Sequence, residues 1–297
     1  MYRISIIGAG VVGTALGYLL KKSGYPIVGI ASRTLESAQK ARKSIGGGNA
    51  STDLISTAKK ADIVFITTSD NAIRETCSKI ASEKGFNQGA VVLHTCGALS
   101  SNILRSARKN GAKVASIHPL QSLANVKEAV KNLPGSYFCL EGDDEALPVA
   151  REIIKVLKGR EISLDVDKKP LYHAGASVAS NFLIATISFG LELFEAAGIS
   201  RKDSLRALMP LIKGTMKNVE AVGIPAALTG PISRGDSGVV EDHLKVISRE
   251  RKDMIKLYSE LGRVTVKIAV KKGTLKEKAA QSIISLFEKY EKGLRYN

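Results

Sequence analysis

Along the first half of the chain, short apolar runs alternate with stretches whose apolar residues recur at helical spacing. Residues 3–7 read as a strand, 8–13 as a glycine turn, 14–23 as a helix stopped by Gly24, and 26–31 as a second strand. Residues 34–45 carry a helical period that ends at Gly46-Gly47-Gly48. Further apolar runs at 62–67, 90–94, 113–117, 136–140 and 161–164 predict strands, with helices from about Ser100 and over 145–157. Such alternation implies right-handed crossovers and a doubly wound, mostly parallel sheet. It stops near Val166. Beyond it the pattern is helical over 170–197, 202–222, 239–247, 253–270 and 275–292, with Gly198 and Gly223 at helix stops. The expectation is an α/β Rossmann domain over 1–166 followed by an all-α domain over 167–297.

One stretch departs from the rest. Residues 170–191 hold no formal charge in a chain where 24% of residues are charged. At ~100° per residue, His173, Ser177, Ser180, Asn181 and Ser188 fall within roughly a 100° arc of one helix face. Length alone would allow this helix to span a membrane, but its polar stripe argues for a buried helix with the stripe turned toward a substrate. No membrane association is expected.

The glycines at the first turn carry the clearest chemistry. Gly8-Ala9-Gly10-Val11-Val12-Gly13 is a G-x-G-x-x-G run between a predicted strand and a predicted helix, the context that gives the motif meaning. The first glycine permits the tight turn, the second admits a pyrophosphate, and the third lets helix pack on strand. The helix start then offers free N–H groups and its positive dipole end. Where an NAD site would place a carboxylate, the second strand ends in Ser32-Arg33-Thr34. Arg33 suits a 2′-phosphate, so the expected cofactor is NADP(H).

Other candidates cluster at predicted strand ends. Thr67-Thr68-Ser69, before Asp70, and Thr95-Cys96-Gly97, after His94, lie at the carboxyl edge of the sheet, where cofactor contacts form. Asp70 reads first as a helix N-cap, with a ligand role as the alternative. His118-Pro119 ends the next strand, with Gln121 close behind. His173, Ser177 and Asn181 follow at i, i+4 and i+8. Hydride transfer to a ketone or imine needs a proton donor and a hydrogen-bond anchor beside the reacting carbon. His173 or His118 supplies the first; Ser177 and Asn181 supply the second. The loop from Leu228 to Asp236 contains Arg234, suited to a substrate carboxylate, or else is a helix connector capped by Asp236 or Ser237.

Composition narrows the classes. The net charge of +16 and pI near 9.7 favour anionic ligands. The basic residues are dispersed, without an aromatic platform or zinc-finger spacing, so specific nucleic-acid binding is not expected. Cys77, Cys96 and Cys139 are odd in number and lack C-x-x-C spacing. They point to a reducing cytoplasm and to no metal site.

Taken together, the glycine run, His118-Pro119-Leu120-Gln121-Ser122, Tyr172-His173, Ser180-Asn181, Pro210-Leu211 and the segment from Leu228 to Asp236 resemble the Rossmann-like proteins with a C-terminal domain of unknown function. That group is similar to ketopantoate reductase, pyrroline-5-carboxylate reductase and the β-hydroxyacid dehydrogenases. The resemblance implies an NADP(H)-dependent reductase of a small anionic keto or imino compound, dimeric through its helical domain. One departure stands out. Where ketopantoate reductase and its relatives carry Lys-x-x-x-Asn, this chain has Ser177-x-x-x-Asn181; His173, one turn earlier, is the substitute proton donor. His118-Pro119 also resembles the His-Pro of prephenate dehydrogenases. The missing lysine leaves a second reading, a protein that binds NADP(H) as a sensor without turnover.

Overall fold

The computed structural model describes residues 1–293. The chain divides into two compact units, Met1–Phe182 and Leu183–Asn297. The first comprises β1 (Ile4–Ile7), α1 (Val11–Lys22), β2 (Ile27–Ala31), α2 (Leu35–Ile45), β3 (Asn49–Ser51), α3 (Leu54–Lys59), β4 (Ile63–Ile66), α4 (Asp70–Ser82), β5 (Val91–His94), α5 (Arg105–Lys109), β6 (Lys113–Pro119), α6 (Val126–Asn132), β7 (Tyr137–Gly142), α7 (Leu147–Val156) and β8 (Arg160–Ser163). Helix α8 (Lys169–Ala196) begins in this unit and continues past the division. The second unit adds α9 (Arg201–Val222), α10 (Pro231–Arg234), α11 (Ser237–Glu250), α12 (Ile255–Lys272) and α13 (Glu277–Lys292).

The eight strands form one sheet in the order β3-β2-β1-β4-β5-β6-β7-β8. All neighbours are parallel except β6 and β7. Alternation sends successive side chains to opposite faces. Ile4, Ile6, Leu93, Ala115, Ile117, Phe138 and Leu140 therefore pack on one side, with Leu16 and Leu20 of α1 and Ile153 of α7. Ile7, Val64, Ile66, Val92 and Val114 pack on the other, with Ile73 and Ile80 of α4. Burying a side chain of this size contributes about 1.5–3 kcal/mol, so both faces need their helices. The order of winding reverses between the parallel neighbours β1 and β4, and that is where the loops after β1, β2 and β4 open.

Local chemistry fixes the helix ends. Thr34 caps α2 by accepting from Ser37 N at 3.2 Å, and Gly46 ends that helix in the left-handed region at φ 81°. Lys21 and Lys22 lie in the last turn of α1, where a positive charge suits the dipole. The N-cap of α4 is Ser69, with Asp70 the first helical residue. The N-cap position expected of Asp70 is thus taken by Ser69, whose side chain makes no capping hydrogen bond, and the Asp70 side chain instead interacts with the Cys96 thiol.

In the second unit, Val240 and Leu244 of α11, Ile255 and Val266 of α12, and Ile283 and Phe287 of α13 make a separate core. Gly262 lets α12 approach α13, since a methyl there would run into the Phe287 ring. Asp236 caps α11 through Val239 N. His243 Nδ1 lies 2.7 Å from the Tyr258 hydroxyl. The region Val166–Ala196 is the one helix among the described residues long and apolar enough to cross a membrane.

The expectation that this helix is buried is not met. Within the first unit Leu171 is 73% exposed, and within the second Ile184 is 67% exposed. Helix α9 buries Ser204 alone and leaves Leu211 64% exposed. Apolar composition here makes an uncovered surface, not a core helix.

Candidate functional site

The loops after β1, β2 and β4 enclose a cleft of ≈ 510 Å³ lined by Gly8, Ala9, Gly10, Ser32, Arg33, Thr67, Thr68 and Ser69. This is the carboxyl edge of the parallel strands at the reversal of strand order, where ligands bind in open α/β sheets. The glycines divide the work as the motif requires. Gly8 has φ +110°, and a Cβ on it would stand 2.6 Å from the Thr67 carbonyl carbon. A Cβ on Gly13 would meet the Gly8 carbonyl and the Thr67 hydroxyl. On Gly10 it would meet nothing nearer than Thr67 O at 4.0 Å, so backbone there faces open space.

Gly10 is also the N-cap of α1, with no side chain bonded to the cap and no acidic residue in the first turn that holds Val11, Val12 and Gly13. Those amides have room and reason to meet an anion. The buried Thr68 Oγ1 has no protein partner. The residues present therefore fit a dinucleotide pyrophosphate.

Arg33 is exposed on the cleft rim. Thr34, expected beside it as a phosphate contact, is occupied in capping α2 and donates to Ser37 Oγ at 2.8 Å. Thr52, Leu54, Glu75, Thr76 and Lys79 also line the cleft. Sequence reasoning did not find them, because they belong to the β3-α3-α4 segment, whose strand is three polar or small residues without an apolar signal.

A second cavity, ≈ 610 Å³, is lined by His118, Leu120, Gln121, Tyr172, His173, Ser177, Ser180 and Asn181. It brings together all four expected catalytic residues and Gln121. His118, on the last turn of pleat in β6, places Nδ1 2.9 Å from the Tyr172 hydroxyl. Its ring meets the His173 ring edge to face, with centroids 6.1 Å apart at 75°. Gly97 lies under both: a Cβ there would be 2.6 Å from His173 Cδ2 and 2.7 Å from His118 Nε2. Tyr172 carries no chemical role in the sequence reading, yet its hydroxyl is the group that orients His118.

Three groups flank this pair. Burial, and then the Lys169 ammonium and His173, push the His118 imidazole down to about 4, while Asp70 acts in the opposite sense. Burial and Lys169 push His94 down to about 3. His94 Nδ1 accepts from Cys96 N at 3.2 Å, which leaves its proton on Nε2. Burial raises the Cys96 thiol, and the Asp70 side chain adds to the shift. Burial also raises the Tyr172 phenol. Gly97 lies under the two histidines, and Thr95, Cys96 and Gly97, expected as cofactor contacts, are not among the residues lining the cleft. Arg234 ends α10 in the second unit. Among the described residues no cluster of metal-ligating side chains occurs.

Residues 1–119 match the model of a Rossmann-like domain, and residues 136–265 match DUF2520, a domain of unknown function. Among solved structures, BF3122 from Bacteroides fragilis, assigned by name as an NADP oxidoreductase, is 25% identical over 90% of this chain and 98% of its own, with TM-score 0.73. Protein TM1727 from Thermotoga maritima is 27% identical over 91% of this chain and 99% of its own, with TM-score 0.72. An imine reductase from Myxococcus stipitatus, solved with NADP+, shares the fold at TM-score 0.66 and 15% identity, over 96% of this chain and 99% of its own. No curated protein matches the sequence. The amino-terminal part of the chain is therefore similar to a Rossmann-like domain, and residues 136–265 are similar to DUF2520.

Proposed function

We propose that this protein is an NADP(H)-dependent oxidoreductase acting on a small anionic keto or imino compound. The observation that carries the reading is the pair His118 and His173, stacked over Gly97 at the same sheet edge as the glycine-lined cleft. The similarity to BF3122, with its NADP assignment, supports the cofactor class. Gly8 to Gly13 would hold the pyrophosphate, Ser32 and Arg33 the adenosine 2′-phosphate, and Thr67 to Ser69 the sugar edge. The bound cofactor supplies or accepts a hydride.

The chain's own residues do the rest. Near neutral pH His118 is uncharged, because burial and Lys169 disfavour its imidazolium. It therefore anchors the substrate's polar atom by hydrogen bonding, oriented by Tyr172, and the proton falls to His173. Ser177 and Asn181, one and two turns farther along α8, orient the substrate, with Gln121 at the cavity rim. Arg234 is our candidate for the substrate carboxylate. We further assign residues 167–297 as the substrate and dimerisation domain. The exposed apolar residues of α8 and α9 are suited to covering by a second copy of the chain.

The test is direct. Purified protein titrated with NADPH and NADH should prefer NADPH, and NADPH should be consumed with one member of a panel of cyclic imines, 2-keto acids and aldehydes. Tight NADPH binding without turnover on any of them would favour the sensor reading instead. Loss of turnover in His173→Ala and Asn181→Ala is expected; full activity in both removes the site assignment.

A further inference from the structure

The related reductases' lysine is absent from the cavity, yet α8 does carry a lysine. It lies two turns before Ser177 and points into the sheet. Lys169 is fully buried, the one buried lysine or arginine among the described residues. Its Nζ donates to Glu141 Oε1 at 2.9 Å and to the Ser116 hydroxyl. Glu141 also accepts from Ser101 N at 2.8 Å and from Ser101 Oγ at 2.7 Å. An ion pair buried this deeply is sustained only when its remaining hydrogen-bonding capacity is satisfied, and here Ser101 and Ser116 do so.

The placement follows from the register of three strands. His94 of β5 pairs with Ser116 of β6, and Ser116 pairs with Glu141 of β7. The three side chains form one buried row on a single face of the sheet. Two residues along β6 toward the carboxyl edge, His118 stands on the same face, opposite Cys139 of β7. The row thus runs directly beneath the cavity, and Lys169 enters it from above as part of the first turn of α8. Three residues later that helix presents Tyr172, which binds His118 Nδ1.

The geometry points to Lys169, seated on Glu141 and Ser116, as a positioning residue for the reaction: it locks the start of α8 to the sheet and holds a buried ammonium behind His118. This rests on the reading of the cavity as the reaction site. The groups around His118 support it. Lys169, Tyr172 and His173 face it from α8, His94 from β5, Cys139 from β7 and Asp70 from α4. After burial, Lys169 is the largest influence on His118, and it acts against protonation. The helix therefore keeps a lysine for this chemistry, but as a fixed buried charge behind the histidine instead of a proton donor in front of the substrate. With the imidazolium disfavoured at His118, the two histidines take different tasks.

The decisive measurement is a histidine Cε1–H NMR titration of the full chain without ligands. The sequence holds four histidines, so each is assigned by a single substitution. In the unmodified protein the His118 midpoint should lie near 4, well below the ordinary value of about 6.5. In the charge-neutral double variant Lys169→Met/Glu141→Gln, the midpoint should climb from there while remaining depressed by burial. Lys169→Gln/Glu141→Gln, which keeps hydrogen-bonding capacity, should do the same and serves if the first variant does not fold. Lys113→Met, which breaks an exposed pair with Glu145, should leave it unmoved. An unmodified midpoint near 6.5, or a folded double variant with an unchanged midpoint, overturns the inference. Both are read without turnover, so absence of reductase activity would sink the functional reading while leaving this result standing. Where turnover is found, the acid limb of kcat/KM should move with the midpoint; a purely packing role for Lys169 would lower kcat without moving it.

Discussion

The substitution Gly97→Ala adds a single methyl group, and the structure states where it must go. It would stand 2.6 Å from His173 Cδ2, 2.7 Å from His118 Nε2 and 2.8 Å from His118 Cε1. Carbon contacts become favourable at about 3.5 Å, so each ring must retreat by roughly 0.8–0.9 Å. His118 cannot do so freely. A ~0.8 Å displacement of the ring cannot keep the 2.9 Å contact of Nδ1 with the Tyr172 hydroxyl at its present length and angle unless Tyr172 moves with it. The overpacking itself should cost about 1–3 kcal/mol in stability, measurable by urea unfolding. Misplacing a catalytic group by ~1 Å costs about 100-fold in rate, so kcat should fall by that order. NADPH affinity, read by fluorescence titration, should change far less, because the pyrophosphate cradle around Gly8 and Gly10 is untouched. A folded Gly97→Ala protein with unchanged kcat would show that the two histidines are not at the reacting centre.

Three further outcomes are expected. Arg33→Ala should weaken NADPH by about 10–100-fold, the worth of a charge-assisted phosphate contact, and leave NADH nearly unchanged in calorimetric titration; equal losses would remove the 2′-phosphate assignment. His94 and His118 are both held below the ordinary imidazole value, to about 3 and about 4, so the unfolded chain binds more protons than the folded one on acidification. Their contribution is present above pH ~6.5 and is lost as pH falls toward about 4 for His118 and about 3 for His94, on the order of 3 and 5 kcal/mol at full loss, so urea midpoints should drop between pH 7.5 and 5; a flat profile would contradict buried neutral imidazoles. Finally, Ile184→Glu or Leu211→Glu, each on an exposed apolar face of the second unit, should convert a dimer to monomer at micromolar concentration in light scattering, and an unaffected mass would place the interface elsewhere.

The nucleotide-binding half was legible because its signals are local. A glycine run between an apolar strand and a helix start has one good physical explanation, and Gly8, Gly10 and Gly13 take their separate parts in it. The pairing of His118 with His173, Ser177 and Asn181 was legible for a related reason: strand ends and a single helix face are short-range patterns. What was not legible depends on distant partners. Strand β3 is Asn-Ala-Ser, with no apolar run to announce it. The antiparallel course of β7 leaves no mark, because an alternating strand reads the same in either direction. Lys169 reads as an ordinary charge before an apolar helix; its partner Glu141 is 28 residues away in sequence, beyond the predicted end of its strand. The exposure of α8 was misread because apolar composition says that a surface wants covering, without saying by which chain.

The buried pair has a consequence for folding that is independent of any reaction. Strand β7 makes the one antiparallel pairing of the sheet, with β6, and its side chains alternate between Phe138 and Leu140 on one face and Cys139 and Glu141 on the other. A slip of one residue would drive the carboxylate into the apolar layer and strand the Lys169 ammonium without a counter-charge. In the correct register both charges are matched; in either neighbouring register both are orphaned. The pair acts as a proofreader of strand alignment, penalising wrong assemblies more than it stabilises the right one.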